Sequence, residues 1–274
     1  MKGILYLSDL SYEAKGRRYC DEDILVTDYL RTRFNVALCH PSSCAAFEDA
    51  ADVVVLRNMG AVAGFQDVHD AFCKRAKEKG LVTYNQLTGK ADMVGKQYLL
   101  DMTDAGMPTI PTVEHISDLG RLPEADRYVI KPKDGADSNG MEFLPRTALL
   151  DGKLDEGMLI QPAIDFEYEV SFFFLDGRYE YALYAPDPLK RWELEPYEAT
   201  GADLDFAQMF IDWNDISHGI QRVDACRTRK GGLLLVELED LNPYLSLDRV
   251  DSSTRERFLE DFASALERVA TEGC

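Results

Sequence analysis

Over the first 85 residues, short apolar runs alternate with segments of helical periodicity, and this alternation admits few folds. Residues 4–7 predict a strand, 23–34 a helix, and 36–39 and 52–56 two further strands. A helix follows from about 67 to 79, with Gly80 placed to cap it, and 81–84 predicts a fourth strand. Strands joined by crossover helices pair in parallel. The segment therefore predicts an open α/β sheet that takes its ligand beyond the carboxyl ends of the strands. Two standard nucleotide motifs are missing from it. No G-x-G-x-x-G follows the first strand, and Gly89-Lys90 lacks both the upstream glycine and the Ser/Thr of a P-loop.

Beyond residue 85 the rhythm changes. A helix is predicted over 91–104, stopped by Gly106 and Pro108. Short strands at 113–116, 128–131, 141–144 and 159–161, separated by breakers, predict a small α+β lobe. The remainder reads as hairpin-rich and closes with a helix. Ser253 and Glu256 are spaced as its capping box, and Phe258, Leu259, Phe262, Leu266 and Val269 form one apolar stripe. Three units result, at 1–85, 86–160 and 161–274.

Two hairpins have a computable register. Asp176-Gly177 is a two-residue turn signal, and it sets Phe174 opposite Tyr179, Phe172 opposite Tyr181 and Val170 opposite Leu183 on one core face. Glu167, Glu169 and Ser171 then project to the other side. If Lys230-Gly231 turns the second hairpin, Val223 faces Leu238 and Ala225 faces Val236. On the opposite face Asp224 lies across from Glu237 and Arg222 across from Glu239. Carboxylates facing each other on a sheet repel. Either a hard divalent cation such as Mg²⁺ binds them, or this is a solvated polar face on which Arg222 and Glu239 pair.

Residues 130–143 carry a second candidate. A strand delivers Lys131, Pro132 ends regular pairing, and a small-residue loop from Gly135 through Ser138 to Gly140 precedes the next strand. Glycines let backbone N–H groups converge on phosphate oxygens, and a nearby lysine supplies charge. The D-G and N-G dipeptides fit an ordinary hairpin loop equally well.

Charge and cysteine usage bound the partners. Against 30 Lys+Arg stand 49 Asp+Glu, a net charge of −19, so nucleic acid and anionic membrane are not expected as partners. No run approaches the ~20 apolar residues that span a bilayer, and the N-terminal apolar run is too brief for a signal peptide. Cys20, Cys39, Cys44, Cys73, Cys226 and Cys274 show no C-x-x-C spacing, and His40, His69, His115 and His218 no ligand spacing. Reduced thiols in a cytoplasmic protein are the expectation. Arg57, at the end of the 53–56 strand, is either a grip for a substrate carboxylate or a surface arginine. Arg17-Arg18 and Lys190-Arg191 are further basic islands.

In order along the chain, Lys131-Pro-Lys-Asp-Gly-Ala-Asp-Ser-Asn-Gly140, Leu159-Ile-Gln161, Glu167-Tyr-Glu-Val170, Arg222-Val-Asp224 and Glu237-Leu-Glu239 resemble the ATP-grasp superfamily. The likeness is to its D-alanine–D-alanine ligase and glutathione synthetase branch of carboxylate–amine ligases. It covers nearly the whole chain, with 1–85 similar to a pre-ATP-grasp domain and Asn85, Lys96 and 106–112 similar to the linker. The fold implied is α/β, with two α+β lobes that clasp the nucleotide. Implied too is a Mg²⁺-dependent (or Mn²⁺-dependent) ATP ligase that forms an acyl phosphate and passes the acyl group to an amine. The partners implied are a small-molecule acid and amine, and a second copy in a homodimer.

Carried over, Lys96 and Lys131 contact ATP phosphates and 135–140, with Ser138, is the lid. Ile160, Gln161 and Ala163 line the adenine hinge, and Glu167 holds the ribose hydroxyls unless Glu169 replaces it. Asp224, Glu237 and Glu239 hold the metal, and Arg222 stabilises charge at the reacting centre. Many members have Glu-x-Asn where this chain has Glu237-Leu-Glu239, which leaves the second metal's coordination open; Asn242, before Pro243, is a further candidate. The rivals are an ATP-grasp kinase that phosphorylates a hydroxyl and a nucleotide-binding regulator without catalysis.

Overall fold

The computed structural model describes residues 1–14, 17–58, 62–135, 140–152, 154–187, 189–241 and 243–272. The N-terminal unit runs β1 (Gly3–Ser8), a short ribbon of β2 (Glu13–Ala14) and β3 (Arg17–Arg18), α1 (Tyr19–Leu30), β4 (Asn35–Cys39), β5 (Val53–Asn58), α2 (Val62–Lys79) and β6 (Thr83–Tyr84). Its sheet has the order β4-β1-β5-β6, all parallel, as the alternation predicts. Ile4 and Tyr6 of β1 bury on one face and Leu5 and Leu7 on the other, the pattern of a strand covered on both sides. Gly80 takes φ +64°, and the Leu81 N–H returns to the Ala76 carbonyl at 2.9 Å, which ends α2. Helix α1 lies earlier than the expected 23–34. After Leu30 the backbone tightens into bonds three residues long, from Thr32 to Tyr29 and from Arg33 to Leu30.

Next come α3 (Gln97–Asp104), β7 (Arg127–Pro132), β8 (Glu142–Pro145), α4 (Arg146–Asp151) and β9 (Met158–Pro162). The three strands form an antiparallel sheet, β8-β7-β9, over a core that includes Tyr128, Ile130, Leu149 and Ile160. Two expectations need correction. The helix expected over 91–104 is a single 3₁₀ turn at Asp92–Val94, then Gly95 at φ +83°, and only then α3. The strand expected over 113–116 reduces to Val113, which exchanges backbone bonds with Ile160 at 3.0 and 2.8 Å before a 3₁₀ turn begins at Ile116.

The last unit is β10 (Phe166–Leu175), β11 (Arg178–Ala185), β12 (Glu195–Pro196), α5 (Gly201–Asn214), β13 (Ile220–Thr228), β14 (Leu233–Glu239) and α6 (Ser252–Glu272). The order β12-β11-β10-β13-β14 makes an antiparallel sheet with β10 at its centre. Phe172 and Phe174 of β10 pack towards α5, whereas Phe173 and Leu175 pack with α6 and with Ile4 and Tyr6 of the first sheet. Each such side chain contributes about 1.5–3 kcal/mol by leaving water. Helix α5 is absent from the sequence reading. Its signal was present: Thr200 Oγ1 accepts from the Asp203 N–H at 3.3 Å, and the Asp203 carboxylate accepts from the Thr200 N–H at 3.1 Å. At α6 the expected cap is also corrected. Asp251 rather than Ser253 caps the helix, accepting from the Thr254 N–H at 3.0 Å and from the Ser253 and Thr254 hydroxyls. The apolar stripe of α6 is buried as expected.

Register decides what faces what. At the first hairpin Phe174 pairs with Tyr179, but a bulge then sets Phe173 opposite Tyr181 and Phe172 opposite Ala182. Val170 consequently faces Tyr184, so the expected partners Tyr181 and Leu183 lie on the other side of the sheet. At the second hairpin the Gly231 N–H bonds to Thr228 O and the Thr228 N–H to Gly232 O, with Gly231 at φ +85°. That turn is one residue away from the one expected, and Ala225 pairs with Leu235 instead of Val236. A bulge then absorbs Val236 and restores the expected pairs: Val223 with Leu238, Asp224 with Glu237, and Arg222 with Glu239.

Candidate functional site

The three units enclose a cleft of about 740 Å³. Its floor is the face of β13 and β14 that carries Arg222, Asp224, Glu237 and Glu239. The turn before α3 supplies Asp92, Gly95 and Lys96, the segment after β7 Lys133 and Gly135, and β10 Glu169 and Ser171. Arg222 joins two carboxylates of the floor. Its Nε and Nη2 donate to Asp224 at 2.9 and 2.8 Å, Nη2 also to Glu239, and Nη1 to the Tyr244 carbonyl at 3.0 Å. The Ser171 hydroxyl donates to Asp224 at 2.6 Å. Lys96 donates to Asp92 at 3.1 Å and to Glu237. The arginine and the lysine thus each hold a pair of acids, side by side on one surface.

This crowding moves protonation equilibria in opposite directions. Burial would raise the Glu237 carboxyl, but Lys96 and Lys131 outweigh it and bring it down to about 2. Asp92 is pushed up to about 8 by burial, with Lys96 opposing and Glu237 adding to the rise. Burial also lifts Glu239 well above the carboxylate range against the pull of Arg222. Lys131 is brought down to about 8 by burial, which exceeds the pull of Glu237. Asp92, Glu237 and Glu239 each offer an oxygen within 4.8 Å of the others. An all-oxygen, anionic donor set of this kind fits a hard divalent cation and does not suit a soft one. Asp92 is the member that sequence reasoning missed. Its spacing of four from Lys96 was the available signal, although the pair sits on a 3₁₀ turn and a break instead of one helix.

The remaining expected residues fall into separate groups. Gly135 lies on the cleft wall, Gly140 packs against Pro132, and Ser138 and Asn242 lie outside the described residues. Ile160 is buried in the core beneath the β8-β7-β9 sheet, with its N–H and C=O both taken by Val113. The Gln161 amide donates to the Thr112 hydroxyl at 2.8 Å, and the Ala163 N–H bonds to the Arg127 carbonyl. Glu167 is exposed at a register break between β10 and β13, whereas Glu169 reaches the cleft and pairs with Arg191. Arg57 lines the cleft but is 3% exposed, donating to the Pro243 carbonyl at 2.9 Å with Glu22 at 3.6 Å and Asp23 at 3.8 Å. Glu22, raised to about 7 by burial, accepts from the Leu245 and Leu247 N–H groups, so this cluster ties the first sheet to the last unit. Arg18 pairs with Asp21 and Lys190 with Glu193, both near the surface. Cys20, Cys39, Cys44, Cys73 and Cys226 are free thiols, and Cys274 lies outside the described residues. Among the described residues no helix is long and apolar enough to cross a membrane.

No protein-family model and no curated protein matches the sequence. Solved structures do match the fold over their whole length. A D-cycloserine synthetase aligns at 21% identity and TM-score 0.74, over 97% of this chain and 99% of that one. The D-alanine–D-alanine ligase of Bacillus anthracis, solved with ATP, aligns at 13% identity and TM-score 0.68, over 100% of both chains. A peptide-associated ATP-grasp ligase of Chryseobacterium gregarium, in complex with ADP and a leader and core peptide, aligns at 11% identity and TM-score 0.66, over 98% of this chain and 97% of that one. Together with the parallel first sheet, the three-stranded antiparallel sheet and the acidic antiparallel floor, these likenesses identify the architecture: the chain has the ATP-grasp fold.

Proposed function

We propose that this protein is an ATP- and Mg²⁺-dependent ligase that joins a carboxylate to an amine through an acyl phosphate, on a small molecule or a peptide end. The observation that carries this reading is the floor of the cleft. Asp92, Asp224, Glu237 and Glu239 crowd one surface, interleaved with Lys96 and Arg222, with Lys131 close enough to act on Glu237. The oxygen donors suit Mg²⁺ or Mn²⁺, which when bound would offset the phosphate charge and orient the γ-phosphoryl group. Lys96 and Lys131 would hold phosphate oxygens, and Glu169, the acid that reaches the cleft, is assigned the ribose hydroxyls in place of Glu167. Gln161 and its neighbours stay assigned to the adenine hinge on the resemblance alone, since the Ile160 N–H and C=O are taken by Val113 and the Ala163 N–H by Arg127.

A carboxylate is a poor acyl donor because its charge repels nucleophiles and oxide is a hopeless leaving group. Taking the γ-phosphoryl turns that oxygen into phosphate, and the amine then displaces it. In such transfers the protein's work is positioning and charge stabilisation. Arg222, held rigidly by Asp224 and Glu239, would face the oxyanion of the tetrahedral intermediate, and the lid 135–140 would keep water from the acyl phosphate. Structures of a D-alanine–D-alanine ligase with ATP and of a peptide-bound ATP-grasp ligase with ADP share the fold, which supports nucleotide in this cleft.

The test is ADP release from the purified protein with Mg·ATP and pooled amino acids, hydroxy acids and polyols. ADP formed one-for-one with an amide product is the expected outcome. A phosphorylated alcohol would make it a kinase, and binding without turnover a regulator; either result overturns the ligase reading.

A further inference from the structure

Asp240 follows Glu239 and points to the opposite side of the chain, away from the cleft. It is fully buried, yet its carboxylate is crowded with donors. Oδ1 accepts from the Met93 N–H at 2.7 Å, and Oδ2 accepts from the Ala91 N–H and from the Asn214 amide, both at 3.1 Å. Asn214, the last residue of α5, is itself buried and uses its amide oxygen to accept from the Lys90 N–H at 2.6 Å. Two buried side chains therefore hold three backbone N–H groups of the turn that presents Asp92 and Lys96. The chain packs so closely here that a Cβ on Gly89 would lie 2.1 Å from Asp240 Oδ2. At the far end of the turn, Gly95 would meet Asp134 in the same way, and the Lys96 N–H bonds to the Lys133 carbonyl at 2.9 Å.

We propose that Asp240 is a positioning residue: its buried carboxylate fixes the linker turn so that Asp92 and Lys96 meet the hairpin acids at the phosphate end of the cleft. This rests on reading the cleft as a Mg·ATP site. The physical reason is economy of motion. Residues 89–96 have no regular helix to hold them, so the side chains they carry are only as well placed as the backbone N–H groups are anchored. Where β14 ends, adjacent residues thus take two jobs, Glu239 lining the cleft and Asp240 holding the linker.

The experiment is a double-mutant cycle read by calorimetric titration with Mg·ATP, using wild type, Asp240→Asn, Lys96→Met and the double variant. Asparagine turns one acceptor into a donor facing the N–H of Met93, or those of Ala91 and Asn214, so the turn must shift. The expected result is a loss of affinity on the order of ten- to a hundredfold for Asp240→Asn, as for other outer partners of ligating groups. The same change should cost clearly less once Lys96 is methionine, because one of the two groups being positioned is already gone. A general contribution to folding would make the two losses multiply, and that result, or unchanged affinity in Asp240→Asn, overturns the proposal. Should Asp240→Asn not fold, Asn214→Ala releases the Lys90 N–H from the same clasp and enters the same cycle. Wild-type protein that gives no heat with Mg·ATP would overturn the functional reading itself, and this inference with it.

Discussion

Replacing Glu237 with glutamine keeps the side chain's shape and removes one charge from the centre of the acidic floor. In the free protein two effects oppose each other. Lys96 loses one partner but keeps Asp92 at 3.1 Å, while repulsion among Asp92, Glu237 and Glu239 is relieved. Because Lys96 and Lys131 hold the Glu237 carboxyl down at about 2, the attraction outweighs the repulsion and the free variant should melt below wild type at neutral pH. The metal assignment is read from the further shift on adding Mg·ATP. A ligand at ~100 times its Kd stabilises by about 2.7 kcal/mol, which for a chain of this length raises Tm by roughly 5 °C. If the substitution weakens binding about a hundredfold, the same concentration sits near Kd and gives about 0.4 kcal/mol, a shift of roughly 1 °C. Thermal melts of both proteins with and without Mg·ATP, run beside the ADP-release assay, read the effect directly. A Glu237→Gln protein that keeps both the full nucleotide shift and wild-type turnover would refute the metal assignment.

Two further predictions concern the nucleotide. Burial holds the Lys131 ammonium down at about 8, against ~10.4 for an unburied lysine. The cost of burying that charge is thus fully present below pH ~8 and is relieved as pH rises towards ~10.4, so this group adds stability to the free protein over that window. A triphosphate restores the charge, so Mg·ATP binding at pH 8 should draw a proton onto Lys131 while metal binding releases protons from Asp92 and Glu239; titration in buffers of high and low ionisation enthalpy gives the net proton count, and Lys131→Met should shift it towards release. An unchanged count in Lys131→Met would show that Lys131 does not meet phosphate. Glu169→Gln should raise the KM for ATP and Glu167→Gln should leave it unchanged, since only Glu169 reaches the cleft; the reverse pattern would return the ribose to Glu167.

Why the acidic floor was legible in the sequence is instructive. Period-two alternation places Arg222 and Asp224 on one side of a strand whatever it packs against, and a hairpin turn sets their partners within a residue or so. The expected turn was off by one, and the bulge at Val236 cancelled the error just before Asp224. At the other hairpin no such cancellation occurs: the bulge beside Phe173 moves Phe172 away from Tyr181, and the two end on opposite faces of a sheet buried on both. Local sequence does not reveal a bulge, because its cost is repaid by packing against α5 on one side and α6 on the other.

By itself, then, the sequence determined what depends on neighbours along the chain. These are the parallel first sheet, the strand of Lys131, the stripe of α6 and the facing acids of β13 and β14. Tertiary structure decided what depends on distant partners. It buried Arg57 between Glu22, Asp23 and Pro243, brought Glu169 instead of Glu167 to the cleft, and carried Asp92 to within reach of Glu237 across more than half the chain. Periodicity and turn chemistry act over a few residues and can be read from them. Where a charge is buried, and what then answers it, is fixed only when remote segments pack together.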